Sequence, residues 1–189
     1  MLRLIFLIPV LLFVVPLLLA GLFVLLAVEG SPGACGGGRT LRIDPALAQS
    51  YQERWFALDA RLTMGQPASF TVTDSEATSQ TRLFLAETGA PISDVRVCFV
   101  PGGSDVNGTL APPFGPDLAV RVRGSVDLSG RHPRASIDSI RIGALPSFVA
   151  RPFLGLVSRL IDEQTNQIEL DHRISVQLSD GQAVISGQP

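Results

Sequence analysis

Apolar and polar positions change their period several times along this chain, and each change marks an element. From Leu4 to Val28 the run is unbroken, with no charged residue and Leu, Ile, Val, Phe and Ala dominating. Asp44-Pro45 then supplies a helix N-cap and a first-turn proline. Leu47, Tyr51, Leu58 and Leu62, with Trp55 between them, form one side of that helix, and Gln52, Glu53, Arg54 and Asp59 the other. At Ser69 the period drops to two, with Phe70 and Val72 alternating with Ser69, Thr71 and Thr73. Thr73 and Glu76 have capping-box spacing, so a helix follows, ending near Gly89, with Ala77, Leu83 and Phe84 as its expected buried side.

The remainder is mostly strand. Val95 to Phe99 alternates, Pro101 to Asp105 reads as a turn into Val106–Leu110, and Ala111 to Pro116 is a proline-rich loop. From Asp117 to Leu128, Val120, Val122, Val126 and Leu128 point one way and Arg121, Arg123, Ser125 and Asp127 the other. A turn at Ser129–His132 sends the chain back antiparallel from Ala135 to Ile142. Apolar parity slips between Ile137 and Ile140, which predicts a bulge near Asp138-Ser139. The sequence Ile142-Gly143-Ala144-Leu145-Pro146 turns into a helix from about Ser147 to Thr165. Its apolar stripe is Val149, Phe153, Leu156, Val157, Leu160 and Ile161. Ile168 to Leu178 alternates again, and a hairpin at Asp180-Gly181 leads to a last strand, Ala183 to Gly187. The predicted fold is α+β, a twisted antiparallel sheet wrapped around the long amphipathic helix and preceded by one N-terminal transmembrane helix. The expected organisation is a signal anchor over 1–29, a Gly-rich linker over 30–43, an amphipathic helix over 44–64 and an α+β domain over 69–189.

The N-terminal run sets the expected compartment. About 20 apolar residues span a bilayer core, whereas a cleaved signal has an apolar core of roughly 7–15 residues and a small-residue cleavage site. Arg3 precedes the run and Glu29 follows it, so the positive-inside rule puts the N-terminus in the cytoplasm and the main domain outside. A net charge of −2 argues against nucleic acid, because phosphate-backbone binding relies on clustered cationic charge. All 15 basic residues are Arg, a feature of GC-rich coding. The two cysteines, Cys35 and Cys98, leave three alternatives open: lipidation of Cys35, a disulfide between the pair, or two free thiols.

No catalytic constellation is present in the sequence. His132 falls in a turn and His172 at an apolar-facing position of a strand, with no nucleophile turn, paired-His metal spacing or phosphate loop beside them. Asp105 and Asn107 next to glycines suggest a calcium loop only faintly, because the closing acidic residue is missing. Asn107-Gly108-Thr109 matches a glycosylation sequon. Arg121 and Arg123 have the chemistry for a phosphate headgroup, but their alternation sets them on an outer face beside Asp127, opposite the apolar side.

Three features together resemble a known group: the strand and capped helix of Phe70–Glu76, the turn Ile142-Gly143-Ala144-Leu145-Pro146 opening an amphipathic helix, and the spacing of Asp180-Gly181 to Gly187. The chain from about Ser69 to Gly187, with its anchor, is similar to the LmeA-like and YpmS-like membrane-anchored proteins of the bacterial cell envelope. The resemblance implies a tubular lipid-binding (TULIP-like) half-barrel, in which acyl chains lie between a curved sheet and a long helix. A lipid site needs a concave apolar lining. The candidates are Phe148, Phe153, Leu156, Val157, Leu160 and Ile161, facing Val120, Val122, Val126, Ile174 and Val176. The expected function is binding of a phospholipid, isoprenoid or other amphiphile by a single-pass extracytoplasmic protein, without enzymatic activity and without a cofactor. The alternative is a structural or partner-binding envelope module whose core is filled.

Overall fold

The computed structural model describes residues 33–112, 116–145 and 170–189. The apolar N-terminal run and the predicted helix 147–165 lie outside the described residues. Among the described residues no helix is long and apolar enough to cross a membrane. Among the described residues two α-helices and seven strands follow one another as α1 (Pro45–Thr63), β1 (Ala68–Thr73), α2 (Asp74–Thr88), β2 (Ile92–Val100), β3 (Gly103–Leu110), β4 (Leu118–Asp127), β5 (Arg134–Ile142), β6 (Arg173–Ser179) and β7 (Gln182–Gln188). The fold is α+β, but it contains two antiparallel sheets where the sequence predicts one. One has the order β1-β7-β6, the other β2-β3-β4-β5. In the first, β1 pairs with β7, Val72 opposite Ala183 and Phe70 opposite Ile185, a contact between segments more than a hundred residues apart that no local pattern encodes.

The helix boundaries follow the local chemistry. Asp44 accepts from the backbone N–H of Ala46 and Pro45 fills the first helical position of α1. Thr73 and Glu76 form both bonds of a capping box on α2, and Gly89 closes it in the left-handed region at φ 65°. Leu58 and Leu62 of α1 enter a core with Val72, Ile174, Ala183 and Ile185, against which Tyr51, Trp55 and Phe70 also pack. Burying such side chains stabilises by about 1.5–3 kcal/mol each. The rings of Tyr51 and Trp55 meet Phe70 edge-on at 6.1 and 6.3 Å, and Arg54 lies 5.6 Å over that same ring. Arg54 also ion-pairs with Glu76 and donates to the Thr71 carbonyl, so the polar side of α1 is partly engaged.

Helix α2 departs from expectation. Its buried residues are Asp74, Glu76, Thr78 and Ser79, while Phe84 is 57% exposed. The reason is the neighbouring sheet edge. Asp74, Thr78 and Arg82 recur every four residues, about 6 Å along a helix, and outward backbone groups of a strand recur every two residues, about 6.7 Å. The two repeats match closely enough for three consecutive bonds. Phe99 N–H donates to Asp74 (2.7 Å), Val97 N–H to the Thr78 hydroxyl (2.9 Å), and Arg82 to the Val95 carbonyl (2.8 Å). A helix thus seals the edge strand with side chains in place of another strand.

A second junction ties the sheets together. Gly181, in the β6–β7 turn, donates its N–H to the Phe99 carbonyl, and its own carbonyl accepts from Asp74 N–H. Arg39 reaches the same place, 3.1 Å from Asp74, paired with Asp180, and donating to Phe99. Asp180 raises the Arg39 pKa further above its ordinary value. Cys35 and Cys98 form a disulfide, which settles the three alternatives and fastens residues read as linker onto β2.

Candidate functional site

The four-stranded sheet has two chemically different faces. Register places Val106, Val122 and Ile140 in one row, with Gly108, Val120 and Ile142 in the next on the same face. The predicted bulge is present: Arg123 pairs with Ser139 but Gly124 pairs with Ile137, so Asp138 is the extra residue. It brings Ile137 and Ala135 back onto the face of Val122 and Val126. A side chain on Gly124 would meet the Ser136 carbonyl oxygen at 2.3 Å, which is why this strand position is glycine. Ile140 is buried, Val120, Val122, Ile137 and Ile142 are half-buried, and Val126 is 48% exposed. This apolar face supplies three of the predicted lining residues, Val120, Val122 and Val126.

The other predicted lining positions separate. Ile174 and Val176 belong to the smaller sheet, where Ile174 is a buried member of the core around Leu58 and Leu62, and Val176 packs on that cluster. Phe148, Phe153, Leu156, Val157, Leu160 and Ile161 lie outside the described residues. The segment that carries them joins β5 of one sheet to β6 of the other.

The opposite face begins polar and becomes basic. Cys98, Asp105, Arg123 and Ser139 form one row; Arg96, Asn107, Arg121 and Arg141 form the next. Asp105 and Asn107 lie within β3 and are buried, where the sequence reading had a turn at Asp105. Burial also removes Asn107 from any glycosylating partner of the folded chain. Asp105 reaches diagonally to Arg121 at 2.7 Å, so Arg121 is not simply solvated beside Asp127. Asp127 instead accepts from Ser129 N–H, which, with the Ser129 hydroxyl and Arg134, holds its carboxyl below the usual range. A shallow cavity of about 130 Å³ is lined by Asp105, Arg121, Arg123, Ser139 and Arg141. Of these, Arg121 and Arg123 are legible in the sequence as phosphate-binding candidates, and Asp105 only as part of a faint calcium-loop pattern. Arg141 could have been found by pairing the two predicted strands in register.

His132 lies exposed in the β4–β5 turn, and His172 sits half-buried in the bend before β6 and not within the strand. Among the described residues no three His, Cys, Asp or Glu side chains gather as a metal-binding group. A 480 Å³ cavity between the helices is lined by Tyr51, Gln52, Trp55, Phe56 and Gln80; burial there pushes the Tyr51 phenol above its ordinary pKa.

No protein-family model matches the chain, and no curated protein does.

Proposed function

We propose that this protein is a membrane-anchored, extracytoplasmic domain that binds a lipid or similar amphiphile on the apolar face of its four-stranded sheet. The observation that carries this reading is the incomplete burial of that face. Val120, Val122, Ile137 and Ile142 are only half-buried and Val126 is 48% exposed, where an antiparallel sheet ordinarily turns its apolar side to a core. The sequence between β5 and β6 also carries the apolar stripe Val149, Phe153, Leu156, Val157, Leu160 and Ile161, side chains of the chemistry that solvates an acyl chain. The disulfide supports an oxidising compartment, and the uncharged run Leu4–Val28 supports the anchor. The resemblance to envelope lipid-binding half-barrels points the same way. No catalytic step forms part of this proposal.

A second reading has one observation of its own. The core beneath α1 is filled so closely that a side chain on Gly187 would meet Leu62 at 2.4 Å, as in a structural or partner-binding module. The two readings separate on Val122→Asp. For a lipid site, uptake of a fluorescent phospholipid by the full chain falls at least roughly tenfold, while Gln177→Asp on an exposed strand position leaves it unchanged. Equal uptake by Val122→Asp and the native chain rejects the apolar face as the site.

A further inference from the structure

The basic face of the same sheet has an arrangement that sheet stability alone does not favour. Arg121 on β4 is paired directly with Arg141 on β5, and like charges directly opposite across two strands repel. Arg123 is two residues along β4, opposite Ser139. Against these three guanidinium groups stands one carboxylate, Asp105, and its ion pair is with Arg121 alone. Among the described residues no ion pair engages Arg123 or Arg141, and Asp138, exposed at the bulge next to Ser139, pairs with neither. Arg39, Arg42, Arg54 and Arg82 each have an acidic partner, whereas on this face three guanidinium groups border one carboxylate. The exposed heads of Arg121, Arg123 and Arg141 border one concavity of about 130 Å³, with the Ser139 hydroxyl and the buried Asp105 at its wall. That volume suits one tetrahedral oxyanion and is far too small for an acyl chain.

We infer that Arg121, Arg123, Arg141 and Ser139 form a phosphate-binding site on the face of the sheet opposite the apolar one. Guanidinium groups bond oxyanions through paired N–H donors in a fixed plane, and Ser139 adds a hydroxyl donor. Asp105 is a positioning residue: it holds Arg121 beside the concavity at 2.7 Å and leaves a net charge of about +2 there for a ligand. The ligand is a phosphate ester, drawn either from a soluble phosphomonoester or from a phospholipid headgroup at the membrane surface. The site does not depend on acyl-chain binding by the other face.

The test uses the full chain in uncharged detergent micelles, titrated calorimetrically with glycerol phosphate against a chloride control of equal ionic strength. A parallel titration uses nanodiscs of phosphatidylcholine with and without phosphatidylglycerol. Saturable binding in micelles assigns the soluble phosphate; binding only to the phosphatidylglycerol discs assigns the headgroup; both support the site. In either arm Arg123→Gln/Arg141→Gln weakens binding at least roughly tenfold, while Arg134→Gln/Arg173→Gln leaves it unchanged. Arg141→Gln alone keeps or raises the melting midpoint, because it removes the repulsion with Arg121, yet still weakens binding severalfold. Absence of saturable binding in both arms, or equal binding by the native chain and the Arg123→Gln/Arg141→Gln variant, overturns the proposal. Val122→Asp separates the two functional readings: it leaves phosphate binding intact even where lipid uptake is lost.

Discussion

Two single residues expose how tightly the smaller sheet is filled. Gly187 opposes Ala68 and lies against Leu62, which is 2% exposed. Gly187→Ala therefore destabilises by about 1–3 kcal/mol through overpacking, measured as a lowered urea midpoint with unchanged slope. Tyr51 is the chain's only tyrosine, so its titration is read directly from near-ultraviolet absorbance. Burial disfavours the phenolate, and the folded protein titrates above the ordinary value of about 10. A folded pKa raised above the unfolded one means the associated stability is complete below about pH 10 and is lost as pH rises further. A midpoint at or below that value contradicts the packing of Tyr51 on Phe70. The carboxyls of Asp44 and Asp127 run the other way: both are depressed by hydrogen bonds from backbone N–H groups. Their contribution is present above the ordinary carboxylate range, near 4, and is lost only as pH falls through the lower folded values.

At the scale of elements, the edge of β2 carries the clearest prediction. Thr78→Val keeps shape but removes the partner of Val97 N–H, in a stretch where Thr78 is fully buried. An unmade buried hydrogen bond costs about 1–3 kcal/mol, and the opened edge invites strand addition. Denaturation should therefore show that loss together with concentration-dependent association. A stability equal to the native chain would mean that the helix does not seal the strand. What the sequence made legible here follows from locality. The caps at Asp44 and Thr73 and the turn at Gly181 are each set by residues within a few positions of one another, and the β4–β5 pairing with its bulge at Asp138 follows from the alternation of two strands joined by a short turn. The polar buried side of α2 was not legible, because its cause is the backbone of β2. A hydrophobic criterion nominates Phe84, which is exposed, and passes over Thr78, which is not. The β1–β7 pairing escaped for the same reason, its partners being more than a hundred residues apart.

For the whole molecule, the disulfide is the longest-range covalent constraint, spanning a sequence separation of 63 residues. On the chain-entropy account, closing such a loop is worth about 4 kcal/mol. Cys35→Ser/Cys98→Ser should lower the unfolding free energy by a comparable amount, and a reductant should do the same to the native chain but not to the variant. Composition allowed the pair but could not choose it over lipidation or free thiols; proximity across the fold does, with Cα atoms 5.4 Å apart. Of the candidate lining, Val120, Val122 and Val126 were legible as a shared face because alternation fixes it. Ile174 looks identical in sequence yet enters a filled core, since alternation says which residues share a face and not what covers it.

The central claim is that the apolar sheet face holds an amphiphile, and native mass spectrometry of the full chain, released from the membrane and followed by organic extraction, tests it most directly. The account predicts a phospholipid or isoprenoid retained at close to one per chain, lost in Val122→Asp. A native mass equal to that of the bare polypeptide, unchanged after incubation with envelope lipids, would contradict it.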